Sequence, residues 1–252
     1  MSHIVFDRKI LRLRRQRSGS YTAGNYDFLI NLSTENLENR LLDIKRAFPF
    51  CLIIGQGKVK SEKLKSIVRC DYGRYADIEA DEEALPFADG SFDACISNLT
   101  LHSINDLPGT LVQINRSLKS GGLFLASLYG GQTLWQLRDC LTKAEMSLRQ
   151  GTSPRVFPFA DKQQLGALLN RAGFTMPVVD SETVTVTYDN IFDLMRDLRG
   201  MGEGNIVSLR DKRFPGKSLF HRAGKIYAHE YAERNNKIPA TVEISYLIGW
   251  KP

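Results

Sequence analysis

The stretch from Ala80 to Leu128, ADEEALPFADGSFDACISNLTLHSINDLPGTLVQINRSLKSGGLFLASL, constrains the fold more than any other part of the chain. Asp81-Glu82-Glu83 leads through Leu85-Pro86-Phe87 to a turn at Asp89-Gly90. The run Phe92 to Leu101 then carries no charge except Asp93, which predicts a buried strand. A helix follows, with Asn105 or Asp106 as N-cap and Leu107, Leu111, Ile114 and Leu118 at spacings of three and four, and it stops at Lys119-Ser120-Gly121-Gly122. Leu123 to Leu128 is a second buried strand. Strand, helix and strand on short turns make a βαβ unit, hence a parallel sheet covered by helices.

The flanks extend the pattern. Ser33-Thr34 reads as the start of a helix over Glu35 to Phe48, Pro49 ends it, and Phe50 to Ile54 is a buried strand running into Gly55-Gln56-Gly57. In nucleotide-binding α/β proteins such a turn admits the ligand, and an acid about 20 residues on holds ribose hydroxyls. Gly55, Gly57 and Asp71, at the end of a predicted strand Ser66 to Cys70, fill those roles. Lys58 to Lys65 leaves room for only a short crossover helix. Asp71 to Asp81 leaves too little for a helix and a third strand, so the cofactor half is shortened.

Further on, Gly130-Gly131-Gln132-Thr133 opens a long helix, and Thr133, Trp135 and Arg138 at its entry are candidate substrate contacts. An amphipathic helix spans Asp161 to Ala172. Thr and Val alternate from Glu182 to Tyr188 as in a strand, Asn190 to Gly200 and Ser218 to Arg234 are helical, and Ala240 to Trp250 is a final strand.

An acidic pair before Leu-Pro-Phe, then Gly-Ser-Phe-Asp, a strand ending near a His and a helix closing on Leu-Lys-x-Gly-Gly together resemble the class I S-adenosylmethionine-dependent methyltransferases. That resemblance implies a Rossmann-like α/β sheet, mostly parallel with its last strand antiparallel, here with a helical insertion as a lid. It implies that Asp81 accepts from the adenine amino group with Glu82 beside it, and that the strand ending at Asn98-Leu99 passes under the cofactor, S-adenosylmethionine. His102, at that strand's carboxyl end, is the candidate base. The expected organisation is a basic N-terminal arm and helix over 1–48, the core over 49–188, the lid over 189–238 and the terminal core strand over 239–252.

Further motifs narrow the likeness: Val5-Phe6-Asp7-Arg8, LHSINDLP from Leu101, GGQTLWQLR from Gly130, SPRVFPF from Ser153, RAGF from Arg171, LMRDLRGMGEGN from Leu194 and the terminal IGWK. Together they resemble the subfamily of mitochondrial complex I assembly factor 5, an arginine hydroxylase, and its alphaproteobacterial relatives. This implies an enzyme acting on a protein or small acidic substrate within complex I assembly, by methyl transfer or by hydroxylation of arginine; the alternative is a non-catalytic chaperone with a degenerate cofactor site. The chain departs from the subfamily in lacking an acid before Gly55, where Ile53-Ile54 stand.

Composition adds limits. The 252 residues, 42% hydrophobic and 25% charged, suit a globular α/β protein. Asp7–Arg17 holds six basic residues and one acid, five of the six net positive charges, so the basicity is local. Phe6, Ile10 and Leu13 share a helical face there, and the arm suits an acidic partner or anionic membrane; without interleaved aromatics it does not suit a nucleic acid. Four cysteines lack metal-ligand or disulfide spacing and read as reduced core thiols, which predicts a cytoplasmic location. His221 and His229 form no metal constellation, and no pair of His with a carboxylate is recognisable.

Overall fold

A computed structural model describes residues 4–21, 26–55, 59–72, 76–149, 151–213 and 215–252. Six strands, β1 (Phe48–Gly55), β2 (Leu64–Cys70), β3 (Phe92–Asn98), β4 (Leu118–Tyr129), β5 (Thr175–Tyr188) and β6 (Ile238–Trp250), form one sheet in the order β2-β1-β3-β4-β6-β5. β1 is parallel to β2 and β3, β3 is parallel to β4, and β6 runs antiparallel to β4. Near-continuous apolar runs make this possible, since a parallel strand covered on both faces cannot alternate; every residue of β3 is buried.

The chain divides into two compact units. One comprises 27–130, 160–182 and 244–252; the other comprises 1–26, 131–159 and 183–243. In the first, α3 (Leu107–Ser117) and α5 (Lys162–Arg171) cover one core, in which Leu111, Ile114, Leu165 and Leu169 meet Leu52, Ile54, Phe124 and Leu247. Asp106 caps α3 by accepting from the Gly109 N–H at 2.9 Å, which decides between the two candidate caps. Asp161 and Gln164 form a reciprocal capping box on α5.

α2 (Phe28–Asp43) begins seven residues before the predicted start. Ser33 and Thr34 are interior to it because their hydroxyls find partners there. Thr34 Oγ1 donates back to the Ile30 carbonyl, and Ser33 Oγ donates to Asn98 Oδ1 at 2.8 Å and Ser127 Oγ at 2.7 Å. Asn98 Nδ2 donates to Thr34 Oγ1 at 2.8 Å. Four side chains thus join α2 to β3 and β4, with Ser33, Asn98 and Ser127 wholly buried.

The shortened half is also visible. Residues 59–63 form no helix, contrary to the short crossover predicted over Lys58–Lys65. Eight residues cannot cross a sheet and return as a helix. The connection is pinned instead by Lys63, whose ammonium donates to the carbonyls of Leu41, Leu42 and Ile44, the orphan acceptors at the end of α2. Among the described residues of 71–81, the third strand is represented by the parallel bridge Cys70↔Ile78.

In the second unit, α4 (Trp135–Leu148) and α7 (Lys217–Tyr231) pack around Leu137, Leu141, Leu219 and Tyr227. α1 (Arg8–Tyr21) and α6 (Ile191–Gly200) belong to the same unit. α1 is packed through Leu11 rather than Leu13, which is 51% exposed. The predicted face fails because the helix starts only at Arg8, leaving Phe6 outside it in a bridge to Val207. Phe6, Leu11, Phe157, Ile206 and Val207 form a small core.

Asn98→Ala removes the acceptor of two buried hydroxyls and the donor to a third. It is expected to destabilise the protein by about 2–4 kcal/mol, more than Thr34→Ala at the helix surface, in urea unfolding. A loss below about 0.5 kcal/mol counts against the cluster as the link between α2 and the sheet.

Candidate active site

The carboxyl ends of β2, β1 and β3 lie side by side. Register places Ile54 opposite Cys70 and Gly55 opposite Asn98, so Asp71, one residue past Cys70, stands at the level of Gly55. Gly55 has φ +89°, and a Cβ built on it would lie 1.9 Å from Thr100 Oγ1. Only glycine lets the end of β1 pass beneath the segment leaving β3. Gly57, the second predicted glycine, lies outside the described residues.

Three acids gather here. Asp71 is 7% exposed and Glu82 is wholly buried. The Cys70 thiol at the end of β2 is pushed up to about 12, chiefly by burial and then by the negative charges of Glu82, Asp71 and Asp81, so all three are near enough to act on it. Asp81 Oδ1 accepts from the Glu83 N–H at 2.9 Å. The Glu83 carbonyl accepts from Gln113 Nε2 at 2.8 Å, and Gln113 Oε1 accepts from the Leu85 N–H at 3.0 Å, so the acidic loop is fastened to α3.

β3 ends in strain. Leu99, 7% exposed, has φ 45°, a conformation costing about 1–3 kcal/mol for a non-glycine residue unless its surroundings hold it. Its N–H donates to both the carbonyl and the hydroxyl of Ser127. The amide of Asn98 is engaged with Ser33, Thr34 and Ser127, its oxygen accepting from two hydroxyls and its nitrogen donating to the third, so the side chain is turned to α2 and β4. His102 follows in a one-turn 3-10 helix, Leu101–Ser103; its ring is 7% exposed and lies 4.7 Å from the Tyr129 ring at the end of β4, centroid to centroid.

The geometry therefore brings together Gly55, Asp71, Asp81, Glu82, Leu99 and His102 in one unit. Thr133, Trp135 and Arg138 belong to the other. Thr133 Oγ1 donates to the Glu243 carbonyl and accepts from the Glu243 N–H, and is 3% exposed. Arg138 donates to the Phe157 carbonyl at 3.2 Å. The Trp135 ring meets Tyr231 edge-on at 5.2 Å. These three expected substrate contacts hold the entry of α4: Thr133 and Arg138 through backbone groups, Trp135 through a ring contact. Sequence reasoning missed Thr100, Ser127 and the αL turn at Leu99, because each acts through a neighbour brought by another strand.

Carboxylates at the strand ends suit the hydroxyls of a ribose and the amino group of an adenine, and the bare end of β1 suits close approach. The residues present fit the nucleoside part of S-adenosylmethionine. No acid precedes Gly55, where Ile53-Ile54 stand, so the chain departs there from the pattern of the resemblance.

Strand order, the antiparallel last strand and the acids at the strand ends define a Rossmann-like class I methyltransferase fold. A family model described as a methyltransferase domain matches residues 57–126. A solved structure, a putative methyltransferase from Bacillus halodurans, superposes with a TM-score of 0.58 at 14% identity, covering 87% of this chain and 98% of that one. The arginine-hydroxylase NDUFAF5 of Danio rerio is 36% identical over 98% of this chain and 83% of its own length. The chain belongs to the NDUFAF5 family. A malonyl-[acyl-carrier protein] O-methyltransferase of Nitrosospira multiformis is 37% identical over 69% of this chain and 54% of its own length.

The expected cytoplasmic location is overturned here: the zebrafish, rat and human members are each named as mitochondrial. Reduced thiols report on redox conditions and do not distinguish one reducing compartment from another.

Gly55→Ala is expected to lower stability by about 3 kcal/mol or more through clash and positive φ, with loss of any nucleoside binding, measured by thermal unfolding with and without ligand. Burial also pushes the thiols of Cys51 and Cys140 up to about 12 and that of Cys95 higher still. Native protein at pH 8 should therefore resist iodoacetamide at all four cysteines and react after unfolding; rapid native labelling of Cys70 would contradict its placement.

Proposed function

We propose that this protein is an enzyme that binds S-adenosylmethionine at the carboxyl edge of β2, β1 and β3 and modifies an arginine side chain of a protein substrate in complex I assembly. The observation that carries it is the gathering of Asp71, Asp81 and Glu82 around the end of β2, beside the glycine-only crossing of Gly55 under Thr100. The 36% identity over 98% of this chain to a relative named arginine-hydroxylase supports the choice of arginine. Asp71 is assigned the ribose hydroxyls, and Asp81 with Glu82 the adenine edge. Gly55 and the backbone at Asn98-Leu99 line the floor, and Asn98 is the residue that fixes that floor through its amide.

When bound, S-adenosylmethionine supplies an electrophilic methyl group on a sulfonium. His102, whose ring packs against Tyr129, is assigned the role of taking a proton from an incoming nucleophile, which contributes typically 10²–10⁴-fold where it operates. Orientation of the acceptor supplies the rest of the acceleration. Hydroxylation at the same arginine is the second reading, favoured by the relative's name; it needs dioxygen and an external two-electron reductant, one oxygen atom entering a C–H bond and the other leaving as water. Thr133, Trp135 and Arg138 are assigned to the support of α4, with the exposed edge of Trp135 as the one surface among them that a substrate can reach.

Calorimetric titration with S-adenosylmethionine and S-adenosylhomocysteine tests the site. Saturable binding weakened at least about tenfold, ~1.4 kcal/mol, by Asp81→Ala and by Asp71→Asn is expected. Mass spectrometry of an arginine-containing substrate peptide then separates the chemistries, a methylene gained for methyl transfer and an oxygen gained for hydroxylation. Absence of heat and of thermal shift at millimolar ligand would remove the enzyme reading and leave a scaffold role in assembly.

A further inference from the structure

The second unit holds a cavity that the acids at the strand ends do not explain. His221, Gly224, Lys225 and Ala228 of α7 line it, at spacings of three and four that make one face of the helix. Asn190 to Phe192, at the start of α6, form the facing wall, and Asn236 and Ile238 close one end. The volume is about 290 Å³, at the lower end of the roughly 300–1,000 Å³ of small-molecule sites.

The hollow has a cause in the sequence. Gly224 lets α7 approach α6, since a Cβ there would stand 3.1 Å from Ile191 Cγ2. Ala228, one turn further along the same face, is too short to fill the space beside that approach. Ile191 and Ile238, each 2% exposed, supply an apolar floor. Phe192, 39% exposed, meets the His221 ring edge-on at 5.1 Å along the rim. Asn236, at φ 63°, turns the chain towards β6, and Lys237 pairs with Asp189 at 3.3 Å across that end.

The charges around it do not cancel. Asp189 is matched by Lys237, and Asp193, just past the wall, by Arg196 at 2.7 Å. The Asn190 carboxamide oxygen caps α6, accepting from the Phe192 and Asp193 N–H groups. Lys225 is exposed, and among the described residues its ammonium makes no ion pair or hydrogen bond. We propose that this cavity binds a small monocarboxylate with an apolar body. The body lies against Ile191, Ile238 and the Phe192 ring, and the carboxylate accepts from the Lys225 ammonium with the His221 ring beside it. One unmatched ammonium suits a single negative charge, held by a charge-assisted hydrogen bond. The site lies within residues 189–238 and does not rest on the proposed reaction.

The test titrates the full chain with phenylacetate, with its neutral counterpart phenylacetamide and with acetate at constant ionic strength, read by saturation-transfer NMR and thermal midpoint. Saturable one-site binding of phenylacetate is expected, with phenylacetamide and acetate each at least about fivefold weaker. Lys225→Gln, at an exposed position, should bring phenylacetate down to the affinity of the amide and leave the amide unchanged. Ala228→Phe, which fills the hollow from the helix side, should abolish binding of both; if that variant does not fold, Lys225→Gln carries the test. No saturable binding, equal affinity for phenylacetate and either control, or undiminished phenylacetate binding in Lys225→Gln would overturn the site.

Discussion

Ser33, Thr34, Asn98 and Ser127 meet where α2 lies on β3 and β4, and the strand ends around the candidate site depend on that meeting. Among the described residues between β1 and β2 there is no helix, and α2 is held by buried hydrogen bonds in addition to apolar contact. The Asn98 amide oxygen accepts from Ser33 and Ser127, and its nitrogen donates to Thr34. A satisfied polar cluster of this kind specifies one register, because a slip of one residue would strand several buried groups at once.

The same cluster connects structure to chemistry. Ser127 fixes the Leu99 N–H, Leu99 takes a left-handed turn, and Thr100 then falls over Gly55. The floor under the proposed nucleoside is therefore set by residues that never face it. The acidic loop is fixed independently, through Gln113 of α3. Two anchors on different elements give the acids a defined place although the third strand has shrunk to a single bridge.

The basic N-terminus has a different meaning from the one its charge suggests. Phe6 and Leu11 tie it into a small core with Ile206 and Val207, and Arg15 is only 7% exposed. Arg14 packs against the loop that carries Gly204, while Lys9, Arg12 and Arg17 are exposed.

The sequence by itself determined the βαβ centre and the shortened half of the sheet, because periodicity, caps and strand-end position are local properties; the antiparallel last strand was implied by the family resemblance and is seen in the pairing of β6 with β4. Tertiary structure alone decided that Ser33 is interior to a helix, that Asn98 faces α2 and that Thr133 and Arg138 bind backbone. It also decided that Lys63 replaces a crossover helix by capping α2. In each case a polar side chain has several local options of similar energy, and the partner that selects one arrives from a distant part of the chain.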